Sequence, residues 1–236
     1  MNKYSETFRT RESDFDTNGN IKPSAVLDIF QEIAGIHANL LGVGFGDLIK
    51  NDLLWVITKV KFEIIKSPEA HKPIVAKTWP LAPSRVSLQR EYLIEDENGN
   101  SLIKGTSEWV TMNLQTRKLV ISNDIYPLDA FCEDKCFEER TRKIPDFEIQ
   151  NDAKIIIPEF CDLDRNCHVN NIKYADYSMN MLCPKTEVKD FQIDFHREIQ
   201  KGMPISLYMQ QNENSVLFKG ISETGEKMFS CSAILK

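Results

Sequence analysis

Two carboxylates, a carboxamide and an imidazole fall within seven residues in Asp162-Leu-Asp-Arg-Asn-Cys-His168, a stretch that runs on through Val-Asn-Asn-Ile-Lys-Tyr174. Side chains of these types move protons and hold groups that carry or acquire negative charge. Drawn as an extended loop, Asp164, Asn166 and His168 share a period of two and point the same way. The residues after Val169 and Asn170 have helical spacing, which places the unpaired N–H groups of a helix N-terminus beside the polar triplet. Such a cluster can bind, polarise or attack a group that becomes an anion.

The elements that must position this cluster are legible from periodicity. Ile172, Ala175, Met179 and Leu182 share one side of a helix predicted from about Asn171 to Leu182, and Pro184 stops it. Strand-like runs follow at 188–199, 204–210, 216–221 and 227–235. The first half has the same order. Pro23 suits a first helical turn, and Val26, Phe30, Ile33, His37 and Leu40 recur at helical steps over about five turns. Gly42-Val-Gly-Phe-Gly46 reads as a loop, and it follows a helix where a dinucleotide-binding loop would follow a strand. Runs at 53–65, 73–79, 85–95 and 101–114, with a turn at Asp96-Glu-Asn-Gly-Asn100, form an antiparallel meander. Residues 121–152 loosen into prolines and charges, with a short helix expected at 133–143.

The two halves also share the polar stretch. Asp162-Leu-Asp-Arg-Asn-Cys-His-Val lies over Asp14-Phe-Asp-Thr-Asn-Gly-Asn-Ile, an offset of 162 − 14 = 148 residues. The chain is therefore read as a duplication, each copy a sheet that buries its apolar face on its own helix. The predicted units are 1–125 and 153–236, joined by a linker at 126–152. Both copies keep the Asp/Asn framework, which shapes turns and caps helices, but only the second puts an imidazole, His168, where the first has Asn20. That difference points to chemistry in the second copy. The first stretch also matches the start of a calcium-binding loop, yet Ala25 stands where the bidentate Glu belongs. No metal is expected. His37 belongs to an apolar helix face, His71 to a loop and His196 to a strand. Glu198 stands near a strand end, where spacing alone leaves it a solvated carboxylate.

Composition limits the partners. A net charge of −6, a pI near 5.4 and no basic run longer than Arg140-Thr-Arg-Lys143 argue against nucleic acid. No apolar run reaches membrane-spanning length and the N-terminal residues lack a signal-peptide core, so a cytoplasmic protein without membrane attachment is expected. Six cysteines with no CxxC pair read as free thiols.

Asp164-x-Asn166-x-His168-Val-Asn-Asn-x-Lys-Tyr174 resembles the signature of the plant and bacterial acyl-acyl-carrier-protein thioesterases, and Phe195-His-Arg-Glu-Ile199 resembles their second signature. Gln31-Glu-Ile-Ala34 with His37, Leu54-Trp-Val-Ile57, Thr78-Trp79 and Trp109-Val-x-Met112 are similar to the family's N-terminal half, so the likeness covers nearly the whole chain. The resemblance implies an α+β tandem (double) hotdog fold. It implies hydrolysis of the thioester joining a fatty acyl chain to acyl carrier protein, with no cofactor, and leaves a homodimer open. Asp164, Asn166, His168 and Glu198 become the implied catalytic set. The acyl chain is expected in the first unit, beneath the helix carrying Ile33 and His37, with Asn170, Arg197 and Lys201 as further substrate-binding positions, the two cations toward the acidic carrier protein. A cysteine nucleophile after the signature glutamate has no counterpart here, because Ile199 holds that place. A non-catalytic acyl-binding module and an acyl-thioester dehydratase on the same fold are the competing readings.

Overall fold

The computed structural model describes residues 2–84, 87–120 and 125–236; residues 85 and 86 of the strand expected at 85–95, and 121–124 of the loosened segment, lie outside them. The chain divides into two compact units, the first built from 1–12 and 28–140, the second from 13–27 and 141–236. The polar stretch at Asp14 is thus grouped with the second unit.

The first unit is an antiparallel sheet on one helix. β1 (Tyr4–Arg9), β2 (Leu53–Ile64), β3 (Pro73–Pro80), β4 (Leu88–Glu95), β5 (Ser101–Asn113) and β6 (Leu119–Val120) lie in the order β1-β3-β4-β5-β2, with β6 beside β5. α1 (Pro23–Leu40) contributes its residues from Asp28 onward. Its apolar face meets the sheet through Phe30, whose ring stacks on Tyr92 at 4.2 Å and meets Phe62 edge-on at 6.1 Å. The approach needs Gly105 on β5, because a Cβ there would sit 2.2 Å from Phe30 Cε2. Ile33, Phe62, Ile94 and Ile103 are fully buried around this contact. A short helix, α2 (Phe45–Ile49), begins inside the glycine-rich stretch expected to be wholly loop.

The second unit repeats the plan. β7 (Lys154–Ile156), β8 (Val188–Phe195), β9 (Ile205–Asn212), β10 (Ser215–Ser222) and β11 (Lys227–Leu235) lie in the order β8-β11-β10-β9-β7. α3 (Asn171–Met179) packs on it through Tyr174, edge-on to Phe195 at 5.3 Å and to Phe229 at 5.0 Å. Again a glycine is overlaid by a ring: a Cβ on Gly220 would sit 2.2 Å from Phe229 Cε1.

No helix forms at 133–143. That segment is irregular, with bends, and is tied to the sheet by side chains, which take the backbone groups that a helix would pair internally. The Glu91 carboxylate accepts from the Cys136 amide at 2.6 Å, and the Trp79 indole donates to the Asp134 carbonyl at 2.8 Å. In the second unit Asp194 accepts from the Ile144 amide at 3.0 Å and Gln192 donates to the Arg142 carbonyl at 2.7 Å.

Candidate active site

The polar stretch is a tight turn and not the extended loop that its alternation suggests. Asp164 Oδ1 accepts from the amides of Asn166 at 2.8 Å and His168 at 3.4 Å, and the Asp164 amide donates to the His168 carbonyl at 2.8 Å. Cys167 closes the turn with φ of 65° and donates to the Asp164 carbonyl at 3.1 Å. The short side chain of an aspartate can bond the backbone two and four residues on, and that local bonding outcompetes extension.

The same turn recurs in the chain. Asp16 accepts from Asn18 and Asn20 at 2.8 and 3.0 Å, with Gly19 at φ 79°. Asp96 accepts from Asn98 and Asn100, both at 2.9 Å, with Gly99 at φ 81°. Ser222 accepts from Glu226 at 3.2 Å, with Gly225 at φ 81°. In all four the first residue's amide donates to the fifth residue's carbonyl, at 2.8 to 3.0 Å. The match between the Asp14 and Asp162 stretches extends to the bridges Phe15–Ile21 and Leu163–Val169, and to the Lys22 and Asn170 amides, which donate to Asp14 and Asp162 at 2.9 and 2.8 Å. The Asp/Asn framework is therefore a turn scaffold. What distinguishes this copy is its fifth residue, His168.

A second segment brings the carboxylate. β8 ends at Phe195, and residues 196–200 run beside the turn, with the Val169 amide donating to the Ile199 carbonyl at 2.8 Å and His168 bridging Gln200. Glu198 is thereby carried to His168: Oε2 lies 3.3 Å from Nε2, with both side chains partly open to solvent, at 27% and 38%. Asn166 is exposed, and its amide nitrogen lies 3.4 Å from Asp164 Oδ2. Asn170 caps α3, its side chain accepting from the Ile172 amide at 3.2 Å.

Tyr174 lies beneath the pair. It is buried, its hydroxyl bonds the backbone at Ile199, and burial together with the Glu198 and Asp164 charges drives its pKa upward. Its place as the last residue of the signature was visible in the sequence, but nothing in spacing alone marked it as a neighbour of the carboxylates. Of the remaining expected positions, Arg197 pairs with Glu226 at 2.9 Å, Lys201 is exposed, and Ile33 and His37 are fully buried in the first unit. Cys167 is exposed. Elsewhere His71 pairs with Glu12 at 2.9 Å and His196 meets Ser230 Oγ at 3.2 Å. Among the described residues no cluster of three or more His, Cys, Asp or Glu side chains is placed to hold a metal ion, and no helix is long and apolar enough to cross a membrane.

Comparison with known proteins bears on the family and the fold. Residues 1–127 match the model of the acyl-ACP thioesterase N-terminal domain, and residues 148–233 that of the C-terminal domain. A chloroplastic acyl-(acyl-carrier-protein) hydrolase of Cuphea viscosissima is 28% identical over 219 residues, covering 84% of this chain and 52% of its own. A chloroplastic palmitoyl-acyl carrier protein thioesterase of Gossypium hirsutum is 25% identical, covering 99% of this chain and 60% of its own. The chain thus spans between half and three fifths of these curated relatives. The crystal structure of an acyl-ACP thioesterase from Bacteroides thetaiotaomicron superposes with a TM-score of 0.92 at 21% identity, covering 99% of this chain and 98% of that one. A 12:0-ACP thioesterase from Umbellularia californica gives 0.87, also at 21% identity, covering 99% and 97%. These likenesses establish the tandem hotdog fold.

Proposed function

Since the chain belongs to the acyl-ACP thioesterase family, we propose that it hydrolyses the thioester of a fatty acyl chain on acyl carrier protein, releasing the free acid and the carrier thiol. The observation that carries the reading is the His168–Glu198 contact of 3.3 Å on a turn whose sibling has Asn20 in place of the imidazole. A turn needed only for shape has no use for either group.

Thioester hydrolysis requires an activated water, a stabilised oxyanion and a held acyl chain. Glu198 and His168, adjacent and partly open to solvent, position the water, and one of the pair takes its proton as the C–O bond forms. The carbonyl oxygen becomes an oxyanion. Asn166, exposed on the turn, directs its carboxamide nitrogen at Asp164 Oδ2 and has a second N–H to donate to the oxyanion, and the first turn of α3 offers backbone donors. The Ile172 and Lys173 amides are already bonded to Asn170, which leaves that of Asn171 as the first-turn donor for this role. Collapse of the tetrahedral intermediate breaks the C–S bond, and the proton held by the pair passes to the leaving thiolate. Asp164 keeps the turn that presents His168, and Tyr174 supports both from below. The acyl chain lies in the first unit against α1, where Ile33 faces an aromatic and aliphatic interior, with His37 one turn on. Arg197, Lys201 and Asn170 are the further substrate-binding positions of the second unit. A carrier-protein partner and a cytoplasmic location complete the reading.

Glu198→Gln is expected to lower the rate of thiol release on the order of 10² to 10⁴ with the fold intact. Product analysis separates the competing classes: a dehydratase leaves the thioester bond whole, and a binding module leaves the substrate unchanged. Undiminished release by Glu198→Gln would remove Glu198 from the mechanism.

A further inference from the structure

The interior of the first unit changes character along α1. At Phe30 and Ile33 the helix faces Phe62, Tyr92 and Ile94, all buried. One turn beyond Ile33 stands His37, also fully buried, with the Tyr4 ring stacked on it at 5.7 Å. β4 changes in parallel. Tyr92 and Arg90 alternate onto the face toward α1, Tyr92 against Phe30 and Arg90 against His37, while Glu91 between them points to the opposite face and holds the Cys136 amide.

Arg90 is 3% exposed. Its guanidinium donates to His37 Nδ1 at 3.1 Å, Thr78 Oγ1 at 3.2 Å and the Tyr126 hydroxyl at 3.0 Å. A guanidinium donates only and keeps its charge, so Nδ1 of His37 is the accepting nitrogen and the proton of the neutral ring sits on Nε2. The apolar strip along α1 is therefore interrupted by a hydrogen-bonded cation, with a second apolar cluster of Ala38, Leu88 and Tyr126 on its far side. On that reading a methylene chain on the Phe30–Ile33 side is stabilised by apolar burial. It gains nothing by pressing on into the cluster, because it would part the guanidinium from an acceptor and return no hydrogen bond.

We propose that His37, Arg90 and Tyr126 form a polar stop that sets the upper length of the acyl chain, with Arg90 as the specificity-determining residue. The inference rests on the reading that the acyl chain lies in the first unit against α1. Chains ending short of Arg90 are accepted; longer ones are rejected at the cation.

The test compares wild type with Arg90→Met across saturated acyl-carrier-protein thioesters from medium to long chain, following thiol release, with binding of the matching free fatty acids measured in parallel. Arg90→Leu, which also removes the cation and its hydrogen bonds, is run beside it in case the methionine variant does not fold. Glu91→Gln, on the same strand but the opposite face, is the control. The stop predicts that both Arg90 variants move the upper limit outward by about two carbons. It also predicts a rise of roughly tenfold or more in the kcat/KM ratio of the first rejected length to the preferred one, with Glu91→Gln unchanged. A folded Arg90 variant with the wild-type length profile overturns the stop while leaving the hydrolase reading intact. Wild-type protein that releases no thiol, yet binds fatty acids with a length limit that the Arg90 variants move, sustains the stop and overturns the hydrolase.

Discussion

Cys167 holds a left-handed backbone, φ 65°, where the three sibling turns hold glycine. A side chain in that conformation costs on the order of 1 kcal/mol relative to glycine. Cys167→Gly is therefore expected to raise stability by about that amount and to leave thiol release unchanged, read by thermal melts and the same assay; loss of activity would return the thiol to the mechanism. Asp164 admits a matched pair of substitutions. Asp164→Asn keeps an oxygen for the Asn166 and His168 amides, as Asn113 does for the Gln115 and Thr116 amides at 3.1 and 2.9 Å, and should fold nearly as well as the parent. Asp164→Ala removes the acceptor and should lose about 1 kcal/mol; equal melting temperatures for the two would contradict the scaffold role. Residue types were readable in the sequence because the chemistry of Asp, Asn, His and Glu is intrinsic to them. Their geometry was not, since period-two alternation and an Asp-capped turn share the same spacing, and only the observed φ of Cys167 separates them. Tyr174 went unread as a site neighbour because a buried tyrosine on a helix looks like core until the carboxylates above it are located.

At the scale of elements, α3 is short and depends on its cap. Asn170→Ala leaves the Ile172 amide without its acceptor and should lower stability by about 1 kcal/mol, with a matching fall in activity if the helix end frays. Gly105→Ala drives a methyl into the Phe30 ring and should lose about 1–3 kcal/mol, measured by denaturant melts; an unperturbed variant would mean that α1 rides more loosely on β5 than the ring contact indicates. Long, strongly periodic elements were legible: α1, α3 and the meander strands fall within a few residues of where apolar spacing puts them, with α3 and β8 ending earlier. β6 and β7 were missed because two or three paired residues carry little periodic signal, and β1 because none of its residues is buried and Glu6 stands between Tyr4 and Phe8 on the same side. The helix expected at 133–143 failed for a different reason: its backbone groups bond to Glu91 and Trp79 of the sheet, partners distant in sequence.

Over the whole molecule, buried charge links the fold to pH. Burial holds the Glu91 carboxyl above its ordinary range, against the opposing pull of the Thr106 hydroxyl and the Cys136 amide. A carboxyl whose pKa is raised on folding stabilises the fold most below its unfolded value of about 4.3, and the contribution fades as pH rises through the folded value. Glu91→Gln removes that titration, so the melting temperature of the parent relative to the variant should fall as pH rises from about 4 to neutrality. Parallel curves would mean that Glu91 is solvated as readily as a surface carboxylate. The duplication that organises the chain also defines the decisive comparison, because the first copy shows what the second would be without its imidazole. His168→Asn rebuilds the first copy's turn residue for residue at that position, keeping the Asp-capped geometry and deleting only the ring. Its kcat/KM for thiol release from acyl carrier protein, measured with a melting curve beside it, tests the central claim most directly. A loss on the order of 10² to 10⁴ at an unchanged melting temperature is the expected result. Near-normal turnover in the folded variant would contradict the account.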